Sequence, residues 1–501
     1  MSISPIHVQS RLAGVSVREV TALSLRLSWP ERWLLLLFLI SLPLINPWIR
    51  GDGVGYYAWL RAPLIEHSLD FRHDYISANA GFHELRVDQH GEPLPIFRTA
   101  TGHLDNHFSI GPAILWSPFV LIAHTGVLIA RAFGAHVSAD GFSAPYRLAM
   151  AFGTAVYGFL GLLLSFRLAR HYISEVWTFL ATISIWWGSS LPVYMYFNPS
   201  WSHTHSAFAV ALFLWYWHRT RGARTLGQWC TLGLIAGLML NVYYANATLL
   251  TVLAVEASYQ YRVTRRDLVG EISAGQLLAR YSLSGGIVLV CLLPTFVTRN
   301  IIYGSPFESG YIPLRYWLWR SPPFFSVLFS SQHGLFAWTP LLLLATIGLF
   351  LFRWREPKVG KPLLAAALAF YLLICCYPDW AGISSYGNRF FVSLTPLFIM
   401  GLGVLLERTA ALFRSQRVAV AAASAALGAF ILWNAGFMFQ WGTHLLPVRG
   451  PISWREMARN QFFIVPREMT THLHQYFFRR NDLMREIEQR DIDQMKKESP
   501  P

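Results

Sequence analysis

The sequence predicts an all-α polytopic membrane protein of about eleven transmembrane helices, with a large first outer loop carrying juxtamembrane helices. Two observations predict it. The 501 residues are 54% hydrophobic and only 14% charged, with a mean hydropathy of +0.37, whereas soluble domains carry about 25% charged residues. The apolar residues also fall in uncharged runs of bilayer length, at 33–49, 148–166, 281–298, 362–378 and 390–406. About 20 apolar residues cross the hydrocarbon, and flanking Trp, Tyr and Arg extend the shorter runs at the interface. The first run starts after more than thirty residues and leads into further spans, so it reads as a membrane helix and not as a cleavable signal.

The net charge of +14 does not point to nucleic acid, because the basic residues sit in short clusters between apolar runs, where they act as topology signals. Those clusters are Arg11/Arg18/Arg26/Arg32, Arg167/Arg170, Arg219/Arg221/Arg224, Arg262/Arg265/Arg266, Arg353/Arg355/Lys358/Lys361 and Arg408/Arg414/Arg417. They mark one side as cytoplasmic, with the N-terminus inside. The alternate connections, roughly 49–145, 195–204, 241–246, 303–335 and 378–389, then face outward. The chain divides into a cytoplasmic segment 1–32, a transmembrane region 33–406, a last transmembrane helix 407–440 and an amphipathic tail 441–501 on the outer side. In that tail Trp454, Phe462, Phe463, Tyr476, Phe477 and Phe478 among many Arg residues predict an interfacial helix. Cys230, Cys291, Cys375 and Cys376 lie in or beside apolar runs with no ligand spacing, so neither disulfides nor zinc are expected.

One segment breaks the count. The run 110–130 is apolar enough to cross, yet crossing there would put Arg167 and Arg170 outside, and it holds Pro112 and Pro118. It is expected to be a juxtamembrane or re-entrant helix on the outer face, where irregular backbone must be buried or line a cavity. The first loop that contains its start is acidic, with nine of the chain's 27 acidic residues. A loop this long in a compact protein is usually functional.

The sharpest local feature is Arg50-Gly51-Asp52-Gly53-Val54-Gly55-Tyr56-Tyr57, directly after the first span. Three glycines around one Asp let the backbone turn tightly and a ligand approach closely. A carboxylate at the edge of the hydrocarbon is costly unless it has a partner or a task. Such an Asp can serve as general base, hold a divalent metal, or simply cap a helix.

From these residues onward the sequence resembles the GT-C superfamily of membrane glycosyltransferases, which includes protein O-mannosyltransferases and lipid A aminoarabinose transferases. The resemblance covers about 50–400 and rests on order and spacing. Asp52 with Tyr56 and Tyr57 follows the first span, and His107-Phe108-Ser109-Ile110-Gly111-Pro112 with Trp116 comes later in the loop. Asn198-Pro199-Ser200-Trp201-Ser202-His203-Thr204-His205 feeds a later span, Arg299-Asn300 ends another, and Tyr386-Gly387-Asn388-Arg389 opens one more. His107 stands where the family usually has Lys, and His203 where many relatives have a second Asp.

The resemblance implies a GT-C-like fold and transfer of a sugar from a polyprenyl-phosphate carrier to a protein, lipid or glycan acceptor outside the cell. The protein would sit in a plasma membrane, for a bacterium the inner one, with its site on the periplasmic or extracellular face. It implies Asp52 as catalytic residue, with Asp74, Asp105 and His203 as alternatives for a second catalytic group. An Arg fork suits phosphate oxygens, so Arg389, His107 and Arg299 are the expected phosphate-binding residues. Tyr56, Tyr57, His205, Glu308, Asp379 and Tyr386 are the expected lining. Participation of a divalent cation, magnesium or manganese, is left open. The alternative class is a transporter or flippase of envelope precursors, against which stand the lack of an inverted repeat and the scarcity of ionisable residues within the spans.

Overall fold

A computed structural model describes residues 27–77, 86–266, 273–447 and 452–498; Arg11, Arg18 and Arg26 of the first basic cluster, and Glu84 of the first loop, lie outside them. Apart from two isolated bridges in the first loop, Val87 with Pro93 and Arg98 with Leu104, the described secondary structure is helical. In chain order the longer helices are α1 (Trp29–Ser41), α2 (Gly53–Arg61), α3 (Gly111–Ala132), α4 (Ala144–Ala169), α5 (Glu175–Trp187), α6 (His203–Thr220), α7 (Leu226–Val242), α8 (Thr251–Arg266), α9 (Ala274–Tyr303), α10 (Leu341–Arg355), α11 (Pro357–Cys376), α12 (Thr395–Ala410), α13 (Gln416–Gly442), α14 (Val465–Phe478) and α15 (Arg480–Glu498). Local sequence sets several starts. Ser28 with Glu31, Thr225 with Gln228 and Ser273 with Gln276 form capping boxes that satisfy the first free amides of α1, α7 and α9.

Among the described residues, six helical segments are long and apolar enough to cross a membrane: α3, α4, α9, α11, Arg389–Ala410 and α13. The other segments expected to cross are shorter; α1 and α5 have 13 residues each, about 20 Å at 1.5 Å per residue. Arg389–Ala410 is the most enclosed of the six, with 83% of its apolar window buried. It runs as a 3₁₀ turn, Arg389–Leu394, into α12. Small residues let it pack so closely. A Cβ on Gly348 of α10 would lie 1.8 Å from the Gly401 carbonyl oxygen, and one on Gly401 would lie 2.0 Å from that of Ala345, the backbone-to-backbone approach small residues permit between membrane helices. Gly401→Ala is therefore expected to destabilise the protein by about 1–3 kcal/mol. Thermal unfolding in detergent measures this; an unchanged midpoint would contradict it.

Ion pairs define one end of the bundle. Glu31 at the start of α1 meets Arg167 at 2.6 Å and Arg170 at 3.7 Å. Glu407 of α12 pairs with Arg355 of α10 and accepts from the Ser174 amide at 2.8 Å. The clusters around Arg167 and Arg355 thus gather at the same end, as their reading as one-sided topology signals requires. Asp52 and the connections expected outside meet at the other end.

The 110–130 segment forms one continuous 22-residue helix with Pro118 inside it. Proline costs no break here because the helix runs on as a single rod against a neighbour. Trp116 donates to Thr154 at 2.8 Å, Phe119 packs on Gly153 and His124 meets the Tyr146 hydroxyl at 2.7 Å. These contacts align α3 antiparallel to the first half of α4, away from the Glu31 end. The tail returns to the Asp52 end as well. Tyr476 donates to the Leu44 carbonyl at 2.7 Å, and Arg480 donates to the Pro43 carbonyl at 2.7 Å and to that of Ile45. These bonds satisfy carbonyls that the end of the first helical segment leaves open.

Candidate active site

Asp52 stands at the N-terminus of α2 but caps nothing: its side chain makes no capping hydrogen bond. Its carboxylate instead meets Arg389 Nη1 at 2.8 Å. The glycines explain how it gets there. Gly51 adopts φ +56°, a conformation open mainly to glycine. A Cβ on Gly53 would lie 1.9 Å from Ser200 Oγ and 2.4 Å from its Cβ, so the loop lies directly on the Ser200–Trp201 turn. The Trp201 indole donates to the Arg50 carbonyl at 2.9 Å and fixes that contact.

Arg389 enters from the mouth of the most buried span. Its guanidinium lies over the Trp201 ring at 4.5 Å and near Phe390 at 5.6 Å, a cation–π arrangement that holds a buried cation. Arg389 is 9% exposed, and its Nε and Nη1 have no aligned hydrogen-bond acceptor among the described residues. The pair with Asp52 is a charge contact that leaves donors unfilled. Asp379 belongs to the same electrostatic centre: burial holds it above the ordinary carboxylate range, Arg389 draws it down and Asp52 raises it. The Tyr56 hydroxyl accepts from Ser202 Oγ at 2.9 Å and its phenol is raised by burial and then by Asp52, so Tyr56 lines this centre. His203 forms its floor, 3% exposed, with its ring edge on Tyr194 at 4.8 Å and further contacts to Trp201, Tyr243 and Phe390.

The other expected site residues have partners of their own. His205 sits fully buried between Trp116 at 5.0 Å and Tyr157 at 5.7 Å, on another face of α6 from His203, as a two-residue offset on a helix dictates. Asp105 accepts from the Tyr303 hydroxyl at 2.6 Å and pairs with His107 at 3.2 Å and Arg86 at 3.4 Å. Burial pushes its carboxyl up, but His107, Tyr303 and Arg86 together hold it below the usual range. His107 is thereby occupied, with Tyr311 and Phe108 on its ring. Arg299 stacks on Tyr244 at 4.6 Å. Glu308 is exposed and accepts from the Ser309 amide of its own loop at 3.2 Å. Tyr386 is a core residue, donating to Asn434 Oδ1 at 2.7 Å. Tyr57 points away from Tyr56 and donates to the Gly141 carbonyl at 2.7 Å.

Asp74 also lies on that far side of α2, 1% exposed and paired with Arg61 Nη1 at 3.0 Å. Burial pushes its carboxyl up to about 7, against the pull of Arg61. The unfolded value is about 3.9. Between these values the folded chain keeps a proton that the unfolded chain has lost, so this group's contribution to stability falls as pH rises from about 4 to about 7. Asp74→Asn removes that slope. The difference in unfolding midpoint between wild type and Asp74→Asn is expected to shift against wild type across that window; a difference independent of pH would contradict it.

Among the described residues no three His, Cys, Asp or Glu side chains converge, and the Asp52 carboxylate already faces a guanidinium. Trp201, Tyr194 and Tyr243 are site residues that sequence reasoning did not single out. Only Trp201 carried a signal, by lying in the stretch that feeds α6.

Fold and site together define a helical membrane protein with a partly unsatisfied Arg–Asp centre where its connections converge. Set against known proteins, the sequence matches no family model and no curated protein. Its structure is similar to that of the Archaeoglobus fulgidus oligosaccharyltransferase in its apo form, at 15% identity and a TM-score of 0.48, covering 87% of this chain and 54% of that one. It is also similar to apo ArnT from Cupriavidus metallidurans, at 14% identity and a TM-score of 0.45, covering 82% and 70%, and to ArnT bound to undecaprenyl phosphate, at 13% and 0.41, covering 86% and 73%. The chain spans about half the length of the oligosaccharyltransferase it matches. With TM-scores below 0.5, these likenesses carry no weight for the chemistry of the site.

Proposed function

We propose that this protein is a glycosyltransferase that moves a sugar from a polyprenyl-phosphate carrier to an acceptor hydroxyl or amide at the membrane surface. The observation that carries the reading is the Asp52–Arg389 pair at 2.8 Å, with Arg389 buried and two of its nitrogens without an aligned acceptor among the described residues. A lipid phosphate is the anion that would fill them, and a guanidinium suits it better than an ammonium would. As phosphate engages Arg389, the Asp52 carboxylate is released to accept the acceptor's proton. The acceptor atom forms a bond to the anomeric carbon while the bond from that carbon to the phosphate oxygen breaks. The proton ends on Asp52 and the electron pair on the carrier phosphate, where Arg389 stabilises it. The anomeric centre inverts in this single displacement.

With the arginine-rich Glu31 end taken as cytoplasmic, the site opens on the extracytoplasmic face of a plasma membrane, for a bacterium the periplasmic face of the inner membrane. The test is reconstitution of the whole chain with a radiolabelled undecaprenyl-phosphate sugar and an envelope extract as acceptor source. Label transferred to the extract with release of undecaprenyl phosphate supports the reading. Solute uptake into proteoliposomes without transfer would replace it with a transporter.

A further inference from the structure

A cavity of about 160 Å³ lies on the far face of α2, behind the Asp52 loop. Ile49 and Val54, which flank that loop, form part of its wall. The functional lining is Trp48, Tyr57, Asp74, Phe142, Arg147 and, from the returning tail, Glu488. One water needs about 10–15 Å³, so the space suits a small organic ring.

Its chemistry is unusual in offering an unfilled acceptor and an unfilled donor together. Asp74 uses Oδ2 for Arg61, while Oδ1 is buried with no hydrogen-bond partner among the described residues. Arg147 Nε is likewise buried without a partner among them. A bound anion would satisfy Arg147 and repel Asp74, and a cation would do the reverse. A hydroxyl both donates and accepts, so a ligand bearing several hydroxyls fills both, and buried polar groups left unfilled are costly. The aromatic rings of Trp48, Tyr57 and Phe142 supply apolar faces for the carbon skeleton between those hydroxyls, the mix of apolar wall and few polar groups typical of small-ligand sites. An acyl chain would leave both charged groups unsatisfied.

We infer that this cavity is a carbohydrate subsite, built to hold one sugar ring of the acceptor against the back of the Asp52 loop. That the ring belongs to an acceptor rests on the glycosyl-transfer reading; that a sugar ring binds does not. The tail helix α15 closes the site through Glu488. Arg480 and Tyr476, by holding residues 43–45, fix the wall that Trp48 and Ile49 extend.

The test uses the full chain in lipid nanodiscs and methyl glycosides of glucose, galactose and mannose as probes, followed by saturation-transfer NMR. Saturable binding of at least one glycoside is expected. It should weaken about tenfold or more in Arg147→Gln, the loss expected for a hydrogen bond to a charged group, and also in Trp48→Leu. Absence of saturable binding in wild type overturns the subsite, as does binding unchanged in both variants. Thermal unfolding confirms that each variant is folded, and Trp48→Leu decides should Arg147→Gln fail to fold. Sugar transfer by a wild-type chain that binds no glycoside sinks the subsite and leaves the transfer reading standing. Glycoside binding lost in the variants of a chain with no transferase activity supports the subsite and sinks the transfer reading.

Discussion

Asp52→Asn is expected to lower sugar transfer by about 10²–10⁴-fold, the span that a positioned general base contributes, while the protein folds normally. Asparagine has the shape of aspartate, and the loop does not depend on the charge for its course: Asp52 makes no capping bond. Its position is set by Gly51, Gly53 and the Trp201–Arg50 hydrogen bond. What is lost is the proton acceptor. Because Arg389 loses its carboxylate partner, the variant should bind undecaprenyl phosphate at least as tightly as wild type. The expected signature is therefore a collapse of kcat without a rise in donor KM. Full activity in this variant would remove Asp52 from the mechanism.

Replacing Arg389 should give a different signature. Arg389→Lys is expected to lower kcat/KM by about 10²–10³-fold, comparable with removing one preorganised donor aimed at developing charge. Donor KM should rise as kcat falls. Lysine keeps the charge but loses the planar fork and its stacking on Trp201, seen at 4.5 Å, so the conservative change is not conservative here. Arg389→Ala should be worse, and should also destabilise the end of α12, since Asp52 and Asp379 would then share a partly buried site with no cation between them. Steady-state kinetics against the donor separate the two residues. Equal loss of kcat with unchanged donor KM in Arg389→Lys would mean that this residue does not hold the phosphate.

The all-helical architecture was legible in the spacing of the apolar runs, and Asp52 and Arg389 stood out as candidates, Asp52 between two glycines and Arg389 two residues after Gly387, each beside a span. Their pairing was not. Periodicity says which face of a helix a side chain occupies, but not which distant segment packs there. The same limit explains the candidates that moved. Tyr56 and Tyr57 are successive residues of α2, about 100° apart around the helix, and so meet different partners, one Ser202 and the other Gly141. Asp74 and Asp105 share the first loop with Asp52, yet one is absorbed by Arg61 and the other by Tyr303, His107 and Arg86. Tyr386 lies three residues before Arg389 and is turned into the core by Asn434. The 110–130 segment kept its helix through Pro118 because it packs along α4, a tertiary contact that no local pattern encodes.

The mechanism stands on Arg389 exchanging its contact with Asp52 for a lipid phosphate. A cryo-electron microscopy structure of the whole chain in nanodiscs with undecaprenyl phosphate tests that exchange most directly. Phosphate oxygens are expected within hydrogen-bond distance of the Arg389 guanidinium, with the Asp52 carboxylate released toward open space. A phosphate bound elsewhere, with the 2.8 Å contact between Asp52 and Arg389 intact, would contradict it.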